Sequence, residues 1–180
     1  MTQKALFLDR DGVINVDTGY VHTVAGFHFI SGIFNICRKA IFKDYLIIVI
    51  TNQAGIGRGL YTSEDFNLLS EWMCDTFFAN GIFITKVYHS PFHPIYGLGE
   101  YKKNEEMRKP RAGMINKAAM EYGLDLQNSV LIGDNYTDIQ AGQNAGIRTN
   151  ILFDEKNKTK LGFKGNYHIV TTLQKSEFLL

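Results

Sequence analysis

Cysteine is scarce, and its placement excludes two common architectures. Only Cys37 and Cys74 occur in 180 residues. Their separation matches no metal-ligand pattern, so neither a disulfide framework nor a thiolate metal site can be built on them. Two free core thiols in a reducing compartment account for the pair most simply. Long apolar runs are missing too. The longest early one, Ala5 to Leu8, is too short for a signal-peptide core of roughly 7 to 15 residues, and nothing approaches a membrane span. An excess of either charge is also absent: 19 basic and 18 acidic residues leave a formal +1. No overall field draws the chain to nucleic acid or an anionic membrane. Repeats and low-complexity segments are lacking. The expectation is a cytoplasmic monomer whose partner is a small molecule.

What is present is 45% apolar sequence, enough for one sizeable core, and a single domain over 1–180 is expected. Short apolar runs alternate with helix-period segments, the pattern of an α/β fold with a mostly parallel sheet covered on both faces. The strand candidates are Ala5 to Leu8, Leu46 to Ile50, Ile82 to Tyr88, Ser129 to Ile132, Thr149 to Phe153 and Tyr167 to Val170. Thr62 followed by Asp65 starts a helix whose core face carries Phe66, Leu69, Met73 and Phe77. After Pro110 a second stripe, Ile115, Ala118, Ala119 and Tyr122, runs to a stop at Gly123. The three prolines, Pro91, Pro94 and Pro110, all fall in one long connection, and such loops in compact domains usually carry function.

Three segments follow strand ends directly: Asp9 to Gly12, Thr51 to Gln53, and Gly133-Asp134. A parallel sheet brings such segments together, because ligands sit beyond the carboxyl ends of its strands. Asp9 can attack phosphorus to form an aspartyl-phosphate, and Asp11, two residues on, can protonate the leaving oxygen and later take a proton from water. Asp134 adds a hard oxygen ligand that, with Asp9, suits Mg2+. Asp138, one helical turn further, either buttresses that site or caps a helix. Thr51 offers a hydroxyl, with the backbone donors of Asn52 and Gln53 beside it, for a phosphoryl oxygen. Arg108 and Lys109 supply a planar fork for a second anionic group and a point charge for the transferring phosphoryl group.

In this order the elements resemble the haloacid dehalogenase (HAD) superfamily of phosphohydrolases. More closely, Phe7-Leu8-Asp9-Arg10-Asp11-Gly12 through Asp17, Gly19-Tyr20-Val21-His22, Thr51 to Gly59, Ser90 to Pro94, Arg108-Lys109-Pro110 and Gly133-Asp134 resemble the heptose 1,7-bisphosphate phosphatases and related histidinol-phosphatases. The resemblance implies a Rossmann-like HAD fold without a large cap. It makes Asp9 the nucleophile, Asp11 the acid/base, Thr51 and Lys109 phosphoryl stabilisers, and Arg108 a substrate-recognition residue. It also implies magnesium held by the Asp9 and Asp134 side chains and the Asp11 carbonyl. Asp17, Thr18, Gly19, Tyr20, Asn52, Gln53 and Ala54 match substrate-binding segments.

Two departures accompany the match. Many relatives pin the long loop with zinc on Cys-x-His and Cys-x-Cys, whereas the aligned positions here are Ser90, Phe92, Glu105 and Met107. No structural zinc is therefore expected, and packing of Phe92, Tyr96 and Leu98 is expected to hold the loop. Asn135 stands where these phosphatases often carry a lysine. The expected reaction is removal of the 7-phosphate of D-glycero-D-manno-heptose 1,7-bisphosphate, in a pathway to nucleotide-activated heptose. The alternatives are a phosphatase for histidinol phosphate or another small phosphomonoester and, outside enzymes, a receiver-type phosphoacceptor domain.

Overall fold

Buried on both faces, the central apolar runs settle into parallel strands, whose side chains meet helices on one side or the other. The computed structural model describes residues 2–155 and 165–180. Its strands β1 (Lys4–Leu8), β2 (Tyr45–Asn52), β3 (Ile84–Ser90), β4 (Val130–Gly133), β5 (Thr149–Phe153) and β6 (His168–Val170) form one parallel sheet ordered β3-β2-β1-β4-β5-β6. Every expected strand is present, with its ends displaced by two residues at most.

Alternate side chains along the strands divide the core in two. Leu6, Leu8, Ile47, Val49 and Ile132 pack under helices α1 (Ile33–Phe42) and α3 (Ser63–Ala79) through Ile36, Cys37, Leu69, Met73 and Phe77. On the other face, Ala5, Phe7, Ile48, Ile50 and Leu131 meet α4 (Gly113–Tyr122) and α5 (Tyr136–Asn144) through Met114, Ile115, Ala118 and Ile139. Each large apolar side chain so buried contributes about 1.5 to 3 kcal/mol. A four-residue helix α2 (Ala54–Gly57) leads from β2 toward α3. The Thr62/Asp65 pair forms a reciprocal capping box at the start of α3, and Gly123, at φ 61°, ends α4.

After β3 at one edge, the chain returns to place β4 beside β1. This reversal opens a crevice beyond the ends of β1, β2 and β4, the usual place for a ligand in such a sheet. Neither the chain between Asp11 and Thr51 nor that between Thr51 and Lys109 folds into a separate cap, so the crevice opens directly to solvent.

Candidate active site

The crevice holds a cavity of about 400 Å³ lined by Asp9, Asp11, Asp17, Gly19, Tyr20, Thr51, Asn52, Gln53, Ala54, Arg108, Lys109 and Asp134. Of the residues predicted from the sequence, Thr18 alone lies outside this lining and is exposed. Tyr61, Asn135, Thr137 and Asp138 complete the wall.

Lys109 is the electrostatic centre. Its ammonium is buried and has three protons to place. The nitrogen lies 2.8 Å from Asp9 Oδ1 and 2.6 Å from Asp138 Oδ1 in two ion pairs, and donates to the Ile50 carbonyl at 3.0 Å. Burial alone would lower its pKa, but the Asp138 and Asp9 carboxylates more than offset that and hold it above the usual lysine value. Asn52 fixes the lysine backbone from both sides: its Nδ2 donates to the Lys109 carbonyl at 3.1 Å, and its Oδ1 accepts from the Lys109 N–H at 3.0 Å. Asp138 caps a helix, as one of its two expected roles had it, and also pairs with the lysine. While Oδ1 meets the lysine, Oδ2 accepts from the Asn135 N–H at 3.0 Å in the capping box of α5.

Asp9 follows β1 and is anchored by its own N–H to the Ile132 carbonyl at 3.0 Å. Its Oδ1 accepts from the Arg10 N–H at 2.7 Å as well as from Lys109. Loss of solvent, then the nearby Asp138 charge, raises its pKa well above the ordinary value despite the lysine. Asp134 opens to the cavity but is crowded by protein. Loss of surrounding water, followed by the Asp138 charge, raises it to about 7. Carboxylate oxygens of Asp9, Asp134 and Asp138 lie within 4.8 Å of one another. Gly12 turns the chain at φ 85°, and a Cβ there would sit 2.1 Å from Asp134 Oδ2. Only glycine leaves that carboxylate its place. An all-oxygen donor set of three carboxylates crowded this closely fits Mg2+.

Asp11 is gripped by Gln53 and by two residues that carried no expected role, Arg10 and Asn15. Arg10, almost wholly buried, donates from Nη2 to both Asp11 oxygens at 2.8 Å and to the Val21 carbonyl at 2.7 Å. Asn15 Nδ2 adds a bond to Oδ1 at 3.0 Å, and Gln53 Nε2 one to Oδ2 at 2.9 Å. One expectation is corrected here. The Gln53 N–H does not face a phosphoryl oxygen: it donates to the Ser90 carbonyl at 2.7 Å, because the β2–β3 ladder continues through this position.

The rim is built from two loops. Tyr20 sits at φ 52° after Gly19, and its hydroxyl accepts a hydrogen bond from Arg58. The Arg58 guanidinium lies 5.2 Å from the Tyr20 ring centre and 5.3 Å from that of Tyr96. Arg108 Nη1 donates to the Phe92 carbonyl at 2.9 Å. The expected packing of Tyr96 and Leu98 is corrected, since both are largely exposed. Backbone bonds hold this loop instead, from Leu98 N–H to the Gly57 carbonyl at 2.7 Å and from His93 N–H to the Tyr101 carbonyl at 3.1 Å. Phe92 packs beside Tyr101 with Lys103 over its ring. Ser90, Phe92, Glu105 and Met107 offer no thiolate at the positions where zinc ligands were sought.

A nucleophile-type carboxylate, a second acid two residues on, a buried lysine and a hydroxyl at the strand ends of a parallel sheet define a phosphohydrolase of the HAD class. The HAD-hydrolase-like family model matches residues 106–175. The chain is 48% identical over 161 residues to D-glycero-alpha-D-manno-heptose-1,7-bisphosphate 7-phosphatase of Burkholderia mallei, covering 89% of this chain and 85% of that one. It is 43% identical to D-glycero-beta-D-manno-heptose-1,7-bisphosphate 7-phosphatase of Vibrio cholerae, over 84% and 82% of the two chains. The fold superimposes with a TM-score of 0.85 on D,D-heptose 1,7-bisphosphate phosphatase from B. bronchiseptica complexed with magnesium and phosphate. That match covers 98% of this chain and 97% of that one at 24% identity. The chain belongs to the heptose-1,7-bisphosphate 7-phosphatase family of HAD-like hydrolases.

Proposed function

We propose that the protein hydrolyses the 7-phosphate of D-glycero-D-manno-heptose 1,7-bisphosphate through an aspartyl-phosphate on Asp9. The observation that carries this reading is the convergence of Asp9, Asp11, Thr51 and Lys109 on one cavity with Arg108 in its wall. Both fixed bonds to Asp9 fall on Oδ1, leaving Oδ2 for attack. As Oδ2 bonds to phosphorus, the bond from phosphorus to the sugar oxygen breaks, and the Asp11 carboxyl delivers its proton to that oxygen. Water then attacks phosphorus, Asp11 takes its proton, and phosphate leaves with Asp9 restored. Lys109 and the Thr51 hydroxyl would meet charge on the phosphoryl oxygens, and Arg108, in the cavity wall, would meet the second phosphate. Asp9, Asp134 and the Asp11 carbonyl would hold Mg2+. When bound, the ion neutralises repulsion between carboxylate and phosphate.

Identity is higher to the Burkholderia relative named for the α anomer, 48%, than to the Vibrio relative named for the β anomer, 43%, and the α bisphosphate is the expected substrate. Specificity constants on both anomers, histidinol phosphate and simple sugar phosphates test this. The α bisphosphate should give the highest kcat/KM. A higher value for histidinol phosphate would sink the substrate assignment, and stoichiometric phosphorylation without turnover would instead favour a phosphoacceptor domain.

A further inference from the structure

Within the cavity wall, Tyr61 and Gln53 form a buried polar chain that the reaction outlined above does not use. Tyr61 lies eight residues beyond Gln53, and the turn through α2 folds it back onto that side chain. Its hydroxyl donates to Gln53 Oε1 at 2.5 Å. The Gln53 amide then donates from Nε2 to Asp11 Oδ2 at 2.9 Å and to Thr51 Oγ1 at 2.8 Å. Gln53 is 2% exposed and Tyr61 7%, so water has little access to replace either partner.

The amide has two orientations, and its neighbours choose between them. Reversed, it would set Oε1 against the Asp11 carboxylate, acceptor against acceptor. In the observed orientation Oε1 needs a donor, and the Tyr61 hydroxyl is that donor. Burial raises the hydroxyl to about 12, so it keeps its proton across the working range. The ring is itself located. It stacks on His22 with centroids 5.0 Å apart and planes 3° from parallel. A Cβ on Gly55 would come within 2.1 Å of Tyr61 Cε1, so the ring occupies space that glycine leaves open.

The consequence for Thr51 is chemical. With Oγ1 accepting from Gln53, the hydroxyl proton is the part left to point elsewhere, and the cavity is where a phosphoryl oxygen arrives. A bond from the same amide nitrogen to Asp11 Oδ2 holds the acid/base carboxylate against rotation. We propose that Tyr61 is a positioning residue that acts through the Gln53 amide to orient both the Thr51 hydroxyl and the Asp11 carboxylate. The inference rests on the roles proposed above for Thr51 and Asp11.

Tyr61→Phe, Gln53→Met and the double variant test it, with kinetics on heptose 1,7-bisphosphate and on p-nitrophenyl phosphate so that a misassigned natural substrate does not confound the result. Phenylalanine keeps the ring against His22 and Gly55, and melting temperatures check that each variant is folded. Each single variant should lose about tenfold in kcat on the bisphosphate, the scale of one oriented hydrogen bond, with KM within about twofold of wild type. Because Tyr61 works only through Gln53, the double variant should lose no more than Gln53→Met alone. Wild-type kcat in Tyr61→Phe, or a double variant losing the product of the two single losses, overturns the inference. Asp11→Asn serves as a control on both substrates: a loss of about a thousandfold on the bisphosphate upholds the roles beneath the inference. Full activity in that variant removes those roles, and the inference with them.

Discussion

Replacing Asp138 by asparagine removes one charge without changing shape, and the surroundings allow its cost to be worked out. Lys109 forms ion pairs with Asp9 and Asp138 and donates a hydrogen bond to the Ile50 carbonyl. Asp138 answers two donors at once, the lysine at Oδ1 and the Asn135 N–H at Oδ2. Asparagine has one acceptor oxygen and one donor nitrogen. Whichever way its amide turns, one of those donors then faces an NH2 group. Leaving a buried donor unpaired costs about 1 to 3 kcal/mol, and breaking a buried ion pair on one side about 3 to 5. Asp9 remains to neutralise the lysine, so the expected loss lies near the overlap, about 3 kcal/mol. With a urea slope of about 2 kcal/mol/M, the unfolding midpoint should fall by about 1.5 M at constant slope. Asn135→Ala, which removes the side-chain cap to the Thr137 N–H and a bond from the Thr137 hydroxyl while keeping the backbone N–H bond to Asp138, should cost about 1 kcal/mol. Urea titration of both variants in chelator makes the comparison. A loss below about 1 kcal/mol for Asp138→Asn would mean that the pair with Lys109 is not a substantial source of stability, and the reasoning would fail.

Asp9→Asn should lose at least about four orders of magnitude in kcat, since an amide does not replace the carboxylate nucleophile; more than a tenth of wild-type turnover would refute the assignment. Chelation should abolish activity and magnesium restore it. Because Asp134 is raised to about 7, its proton must leave for the ion to bind, so apparent magnesium affinity should fall about tenfold per pH unit below that value; calorimetry showing pH-independent binding would contradict this. In metal-free protein the folded Asp9 and Asp134 hold protons more tightly than the unfolded chain. Their contribution to stability should therefore grow as pH falls from about 7.5 to 5.5, read as a rising melting temperature in chelator. Protein purified without added zinc should contain well under one zinc per chain, and zinc-selective chelation should leave the melting temperature unchanged. Stoichiometric zinc on His89, His93 or Glu105 would overturn that expectation.

The sheet was legible because most strands carry a short apolar run, and the start of α3 because Thr62 and Asp65 are three residues apart, so both cap bonds are local. Asp9, Thr51 and Asp134 could be placed together because each lies at the carboxyl end of a strand that the sheet orders. What escaped depends on contacts across the fold. The Gln53 N–H looks free beside Thr51 until β3 is laid against β2 and Ser90 takes it. Arg10 sits in the motif, yet its bond to the Val21 carbonyl is set by the return of a distant loop. The loop packing expected from Tyr96 and Leu98 followed hydrophobicity, whereas a backbone bond to Gly57 makes the attachment and leaves those side chains outside.

The two-sided grip of Asn52 on residue 109 joins main-chain atoms alone on the lysine side. The side chain at that position can therefore be exchanged while its attachment point keeps both bonds. For mutational scanning this makes residue 109 informative: arginine, glutamine or methionine there would report on charge and reach at the nucleophile from a common origin. Residue 52 has the opposite character. A library at that position would confound chemistry with placement, since most replacements lack the paired amide donor and acceptor that the grip requires.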